Sequence, residues 1–160
     1  IVTGRAARAL NLAAWIAACF SAAAIGGLVQ TGSSDWYRQL TKPSFNPPGW
    51  VFGPVWTLLY LMMAVAAWRV WPLRRRPGGR LAVGLFLGQL ALNAAWTPVF
   101  FGLHRIGAAL AILLALWAAL GTCIVAFLRL DRLAGLLLLP YWAWASFAGV
   151  LNASLWWLNR

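Results

Sequence analysis

The sequence predicts an all-α integral membrane protein, a bundle of five transmembrane helices. Charged residues are only 9% of the 160 positions and hydrophobic ones 63%, so the charged shell that a soluble domain of this length requires cannot be assembled. Five continuous apolar runs, at about 10–29, 50–71, 81–101, 106–128 and 133–158, each approach or exceed the roughly 20 residues that a helix needs to cross a bilayer. Their continuity excludes a membrane β-barrel, whose strands are short and alternate in polarity.

The elements follow in chain order. The first run is too long for the core of a signal peptide, carries Trp15 and lacks a late charge, so it is read as a span. The connection at 31–49 is about 19 residues long, which exceeds a simple turn and suits a lid or binding loop. Lys42-Pro43 and Asn46-Pro47 hold this chain extended, because the residue before a proline avoids the helical region. Pro47 and Pro48 sit just before the second span and Pro54 in its first turns, where missing amides are tolerated. Trp36 and Trp50 are read as anchors at the interface or loop, leaving Trp56 pointed inward. The later loops are short, so successive helices run antiparallel and pack as one bundle. Neither an internal repeat nor a dividing linker is visible, which predicts a single domain over 1–160.

The formal net charge of +11 would point to nucleic acid in a soluble protein. Here the basic residues lie between apolar runs, as topology signals and lipid-headgroup contacts, and no nucleic-acid partner is expected. Arg5, Arg8, Arg74, Arg75, Arg76, Arg80, Arg129 and Arg132 fall on one side, against Asp131; Arg38, Lys42, Arg105 and Arg160 fall on the other, against Asp35. Eight against four predicts a cytoplasmic N-terminus.

Familiar catalytic inventories are missing. The chain has one histidine, His104, read as an exposed loop residue, and two acids, neither within an apolar run. A metal centre needs three or four ligands and a hydrolytic triad needs a nucleophile, a base and an orienting group, so no metal site or required cofactor is expected. Cys19 and Cys123 each lie mid-span and are read as apolar filler rather than a disulfide.

What remains is aromatic and amide chemistry. At about 100° per residue, Gln89, Asn93, Trp96 and Phe100 share one stripe of the third span, while Gly84, Gly88, Ala91 and Ala95 share another. The small stripe permits close approach of a helix, either from within the bundle or from a second protomer. The amide stripe avoids lipid, and its amides either bond neighbouring helices or face a ligand. Tyr141, Trp144, Ala148 and Asn152 line one face of the fifth span, and Trp56, Tyr60 and Met63 one side of the second. If these faces meet, they enclose an apolar pocket with flat walls, suited to a large planar ligand; plain packing is the alternative.

Three stretches go further: "WYRQLTKPSFNPPGWVFGPVWTLLY" at 36–60, "ALNAAWTPVFFG" at 91–102 and "LPYWAW" followed by "GVLN" in the fifth span. In order and spacing they resemble the TspO/translocator protein family, the tryptophan-rich sensory proteins and peripheral-type benzodiazepine receptors. The chain is identified as a bacterial-type member on the patterns W-Y-x(4)-K-P-x(3)-P-P-x-W and L-N-x-x-W-x-P-x-F-F-G. The resemblance implies five spans, a homodimer, and a pocket beneath the first loop that binds porphyrins such as protoporphyrin or haem and isoquinoline or benzodiazepine-type ligands, with a link to tetrapyrrole transport or regulation. By position, Trp56, Asn93, Trp96 and Trp144 match pocket residues; Pro47, Pro48, Gly53, Ala148 and Leu151 match its walls; Tyr37 and Lys42 match the closing loop. The stripe Gly84, Gly88, Ala91 and Ala95 corresponds to a dimer contact of some bacterial members. Trp56 and Trp144 also match tryptophans proposed to act in light- and oxygen-dependent porphyrin breakdown, so an enzyme is the alternative to a receptor. The sterol-recognition tyrosine of animal members is replaced by Ala153, which speaks against high-affinity cholesterol binding.

Overall fold

The computed structural model describes residues 4–31 and 34–160; positions 1–3 of the expected domain and 32–33 of the expected lid lie outside the described residues. The helices are α1 (Gly4–Thr31), α2 (Ser34–Gln39), α3 (Gly49–Val70), α4 (Gly79–Thr97), α5 (Ile106–Leu130) and α6 (Arg132–Leu158). All but the short α2 are long and apolar enough to span a bilayer, which confirms the five expected crossings.

The boundaries differ from the apolar runs for local reasons. α1 begins at Gly4, ahead of the run that starts at Leu10, because helical backbone satisfies itself whatever the side chain, and Arg5 and Arg8 stay exposed. The expected lid contains a short helix, α2, and its proline segment is not extended throughout, because the Asn46 amide donates to the Pro43 carbonyl at 3.1 Å and closes a turn. The turn before α4 needs its glycines. Gly78 has φ 79°, and a Cβ on Gly79 would overlap the Leu73 carbonyl and the Arg74 backbone. The third span is not α-helical to 101: it ends at Thr97 and continues as a π-turn, Pro98–Gly102, in which the Leu103 amide donates to the Pro98 carbonyl at 2.9 Å. Pro98 has no amide to give and its ring crowds the preceding turn, so the helix widens there.

Five long helices close into a ring in the order α1, α3, α6, α5, α4 and back to α1. Short loops do join packed neighbours at α4–α5 and α5–α6, but α3 and α4 scarcely touch, because their connecting turn carries the chain across the end of the ring. Half of the interior is solid. Trp15 meets Phe86 edge-on at 5.5 Å, and Phe86 stacks on Phe127 at 5.9 Å, all buried; truncating such a phenylalanine to alanine costs about 3–5 kcal/mol.

One cation of the second span escaped the loop-based charge comparison. Arg69 lies inside α3, and its Nη2 sits 2.9 Å from Asp131 Oδ2, a pair whose side chains are only 35% and 16% exposed. The other carboxylate oxygen of Asp131 accepts from the Ala134 amide at 3.1 Å, capping α6. Burial works against this carboxylate, yet the Ala134 amide, Arg69 and the Leu133 amide together hold it below the usual range.

Candidate functional site

The other half of the ring is hollow. A cavity of about 860 Å3 lies beneath the lid, and its wall includes all ten expected ligand-site residues: Tyr37, Pro47, Pro48, Gly53, Trp56, Asn93, Trp96, Trp144, Ala148 and Leu151. Lys42 and Arg38 stand at the same wall, so α2 and the lid, α3, α4 and α6 converge there. The volume falls in the upper part of the range for small-molecule sites, roughly 300–1,000 Å3.

The aromatic walls are not parallel. Trp56 and Trp144 meet at 88° with ring centroids 6.4 Å apart, and Trp56 also leans on Tyr60 at 5.5 Å and Tyr141 at 6.1 Å. Trp96 is stacked on Phe100 at 5.0 Å instead. The expected flat-walled slot is therefore a corner: a planar molecule lying on one of the two indoles presents its rim to the other. Among the described residues no hydrogen bond engages the indole N–H of Trp56 or Trp144, so both donors stay free for a ligand.

The amides are committed differently. Tyr60 donates to Asn93 Oδ1 at 2.6 Å, and Asn93 Nδ2 donates to the Tyr141 hydroxyl at 2.7 Å, tying α3, α4 and α6. Asn93 thus bonds neighbouring helices while one side meets the cavity. Trp96 Nε1 donates to Asn152 Oδ1 at 3.0 Å, and Asn152 Nδ2 donates to the Ile106 carbonyl at 3.0 Å, which fixes the Trp96 ring. Gln89 is fully buried away from the cavity wall, and neither its amide nitrogen nor its oxygen finds a partner among the described residues.

The lid is fastened at several points. The Asn159 side chain accepts from the Thr41 amide at 2.8 Å and donates to the Thr41 carbonyl at 2.9 Å, so the end of α6 holds the lid as a neighbouring strand would. Tyr37 donates to Asn46 Oδ1 at 3.1 Å; burial raises the Tyr37 phenol and this bond lowers it, with burial prevailing. Lys42 Nζ lies 4.8 Å from the centre of the Tyr37 ring and donates to the Arg38 and Leu40 carbonyls. Trp36, expected as an anchor, stacks on His104 at 4.2 Å, and His104 is exposed, as expected, but has φ 55°. The stack helps to hold a conformation that non-glycine residues rarely adopt.

Sequence reasoning missed the contribution of α1. Phe20, Ala23, Gly27 and Gln30 line the cavity at helical spacing, but ordinary apolar periodicity was the only signal. The stripe Gly84, Gly88, Ala91 and Ala95 is exposed, and Gly84 and Gly88 face open space, so it does not serve packing inside this bundle. No group of three metal-ligating side chains occurs among the described residues, and both cysteines are free and buried.

The sequence model of the TspO/MBR family matches residues 15–158. The chain is 43% identical over 138 residues to the tryptophan-rich sensory protein of Cereibacter sphaeroides, covering 86% of this chain and 84% of that one. It is 39% identical over 148 residues to protein CrtK of Rhodobacter capsulatus, covering 92% and 91%, and 44% identical over 126 residues to the human translocator protein, covering 76% and 73%.

Proposed function

This chain belongs to the TspO/MBR family, a multi-pass membrane protein of the sensory and translocator type, and from that premise we propose that it is a receptor for porphyrins. Protoporphyrin or haem enters beneath the lid, and isoquinoline or benzodiazepine-type molecules share the cavity. The observation that carries this reading is the perpendicular Trp56–Trp144 corner with two free indole donors under a fastened lid. The macrocycle lies on one indole and meets the edge of the other, an arrangement that offset and edge-on aromatic contacts favour over a sandwich. Asn93, already tied to two tyrosines, shapes the wall rather than gripping the ligand. Arg38 at the mouth, its side chain 78% exposed and only loosely paired with Asp35 at 3.6 Å, is available to a propionate. In this reading the basic end faces the cytoplasm, and a second protomer covers the stripe of Gly84, Gly88, Ala91 and Ala95.

The test is a titration of purified protein with protoporphyrin in darkness, followed by tryptophan fluorescence. Quenching saturates and weakens in Trp144→Ala; quenching that never saturates and ignores the substitution overturns the reading. A second reading, light- and oxygen-dependent porphyrin breakdown, draws on the same corner, which sets two oxidisable indoles against the pigment without needing histidine, cysteine or acid. Under light with oxygen, Trp56→Phe then slows product formation more than it weakens binding, whereas equal bleaching by free tryptophan refutes it.

A further inference from the structure

The end of the ring opposite the lid carries a second cleft of about 500 Å3, formed by the start of α1, the end of α3 with the turn after it, and Asp131. Three guanidiniums, of Arg8, Arg69 and Arg74, and the Asn11 amide line it. Charge is unevenly settled there. Asp131, the one acid on this side, spends its two oxygens on Arg69 and the Ala134 amide. Arg8 and Arg74 are therefore left in no ion pair among the described residues, and the chain's other acid, Asp35, lies in α2 on the lid, loosely paired with Arg38.

These two arginines are also held in place. The Arg74 guanidinium lies 4.2 Å from the Trp71 ring centre, with Nη1 donating to the Trp71 carbonyl at 2.8 Å. Arg8 lies 5.4 Å from the Trp68 ring, whose Nε1 donates to the Arg8 carbonyl at 3.1 Å. A guanidinium carries five N–H donors in a planar fork. These contacts leave N–H edges of both guanidiniums available, and the bond of Arg74 to the Trp71 carbonyl meets part of the ordering cost of seating an anion there. Arg69 Nε is buried without a partner beside them, an unmet donor that adds to the positive field.

We propose that this cleft is a binding site for a phosphate group, seated between Arg8 and Arg74 with Asn11 as a further donor. Each planar fork takes two oxygens, so two forks are met by the several oxygens of a phosphate and not by a halide or by the two oxygens of a lone carboxylate. The phosphate arrives on an anionic lipid headgroup or as a free phosphate; both offer the same oxygens.

The experiment uses delipidated full chain in uncharged detergent, with thermal unfolding followed by helical circular dichroism. The probes are dioctanoyl phosphatidylglycerol and inorganic phosphate, the latter matched against sodium chloride at equal ionic strength. Binding to the folded state raises Tm with the logarithm of one plus the ratio of free probe to Kd. The wild type and Arg75→Gln with Arg76→Gln, which removes two exposed charges outside the cleft, respond alike. Arg8→Gln with Arg74→Gln needs about tenfold more probe or higher for the same shift, the loss expected for a charge-assisted bond. Stabilisation by the lipid alone identifies a headgroup site, and stabilisation by inorganic phosphate with the same variant dependence identifies a free-phosphate site. Equal weakening by both variant pairs, or no stabilisation by either probe, overturns the proposal. If the glutamine pair does not fold, Arg8→Lys with Arg74→Lys decides. It keeps the charge but loses the planar forks, so wild-type binding by that pair overturns the proposal and weakened binding sustains it.

Discussion

Replacing Asn93 by alanine removes a strut between three helices, and the structure sets the size of the effect. Two hydrogen bonds vanish, one from the Tyr60 hydroxyl and one to the Tyr141 hydroxyl. The two tyrosines are not equivalent. Tyr60 lines the cavity, so water there can replace its lost acceptor, and its bond is worth about 0.6 kcal/mol, the average for interhelical bonds in a membrane. Tyr141 is fully buried and away from the cavity wall, so its hydroxyl is left unpaired at about 1–3 kcal/mol. The expected loss for Asn93→Ala is then roughly 1.5–3.5 kcal/mol. Adding Tyr141→Phe removes the stranded hydroxyl and recovers a good part of it, about 1 kcal/mol or more, a non-additivity that contacting residues show and distant ones do not. Unfolding in mixed dodecyl sulfate micelles, followed by helical circular dichroism on both single variants and the double, measures the cycle. A loss below about 0.5 kcal/mol for Asn93→Ala, or a double variant no more stable than that single, refutes the reasoning.

Other outcomes follow from the same geometry. Asn159→Ala unlatches Thr41, and with each exposed bond worth about 0.5–1.5 kcal/mol the porphyrin off-rate in stopped-flow fluorescence rises about fivefold or more; an unchanged off-rate argues that the lid is held elsewhere. Because the folded state depresses the Asp131 carboxyl, its contribution is complete above the unfolded carboxylate value, about 3.9, and is lost as pH falls through the lower folded value. Acid titration of stability therefore shows a falling limb below about pH 4 that Asp131→Asn removes; a limb that persists in the variant places the titrating group elsewhere. Among the described residues no histidine, cysteine or methionine lines the main cavity, and its tyrosines Tyr37 and Tyr60 donate to Asn46 and Asn93, so in the proposed receptor haem binds without a histidine, cysteine or methionine axial ligand. A Soret shift indicating one of those axial ligands contradicts this.

The five crossings were legible because hydrocarbon leaves a chain little choice: apolar length and self-bonded backbone decide the matter. Ring order was not, since five similar apolar faces carry no label saying that α6 rather than α4 borders α3. The loop-based charge comparison also passed over Arg69, whose neutralising partner is 62 positions away by chain number, 131 − 69. At the site, the sequence patterns of the lid, α3, α4 and α6 marked ten positions that share one wall. Residue identity does not specify side-chain rotamers, so the right angle between Trp56 and Trp144 and the double tie on Asn93 became visible only in three dimensions. Phe20 and Ala23 of α1 look like any lipid-facing pair until the ring is closed.

The latch between Asn159 and Thr41 joins the chain's end to a loop made more than a hundred residues earlier. The lid precedes in the chain the helix that latches it, and α6 also supplies Trp144 and the Asn152 that orients Trp96. The Asn159 side chain thus couples the packing of α6 to the position of the lid, and a shift at the end of that helix is felt at Thr41.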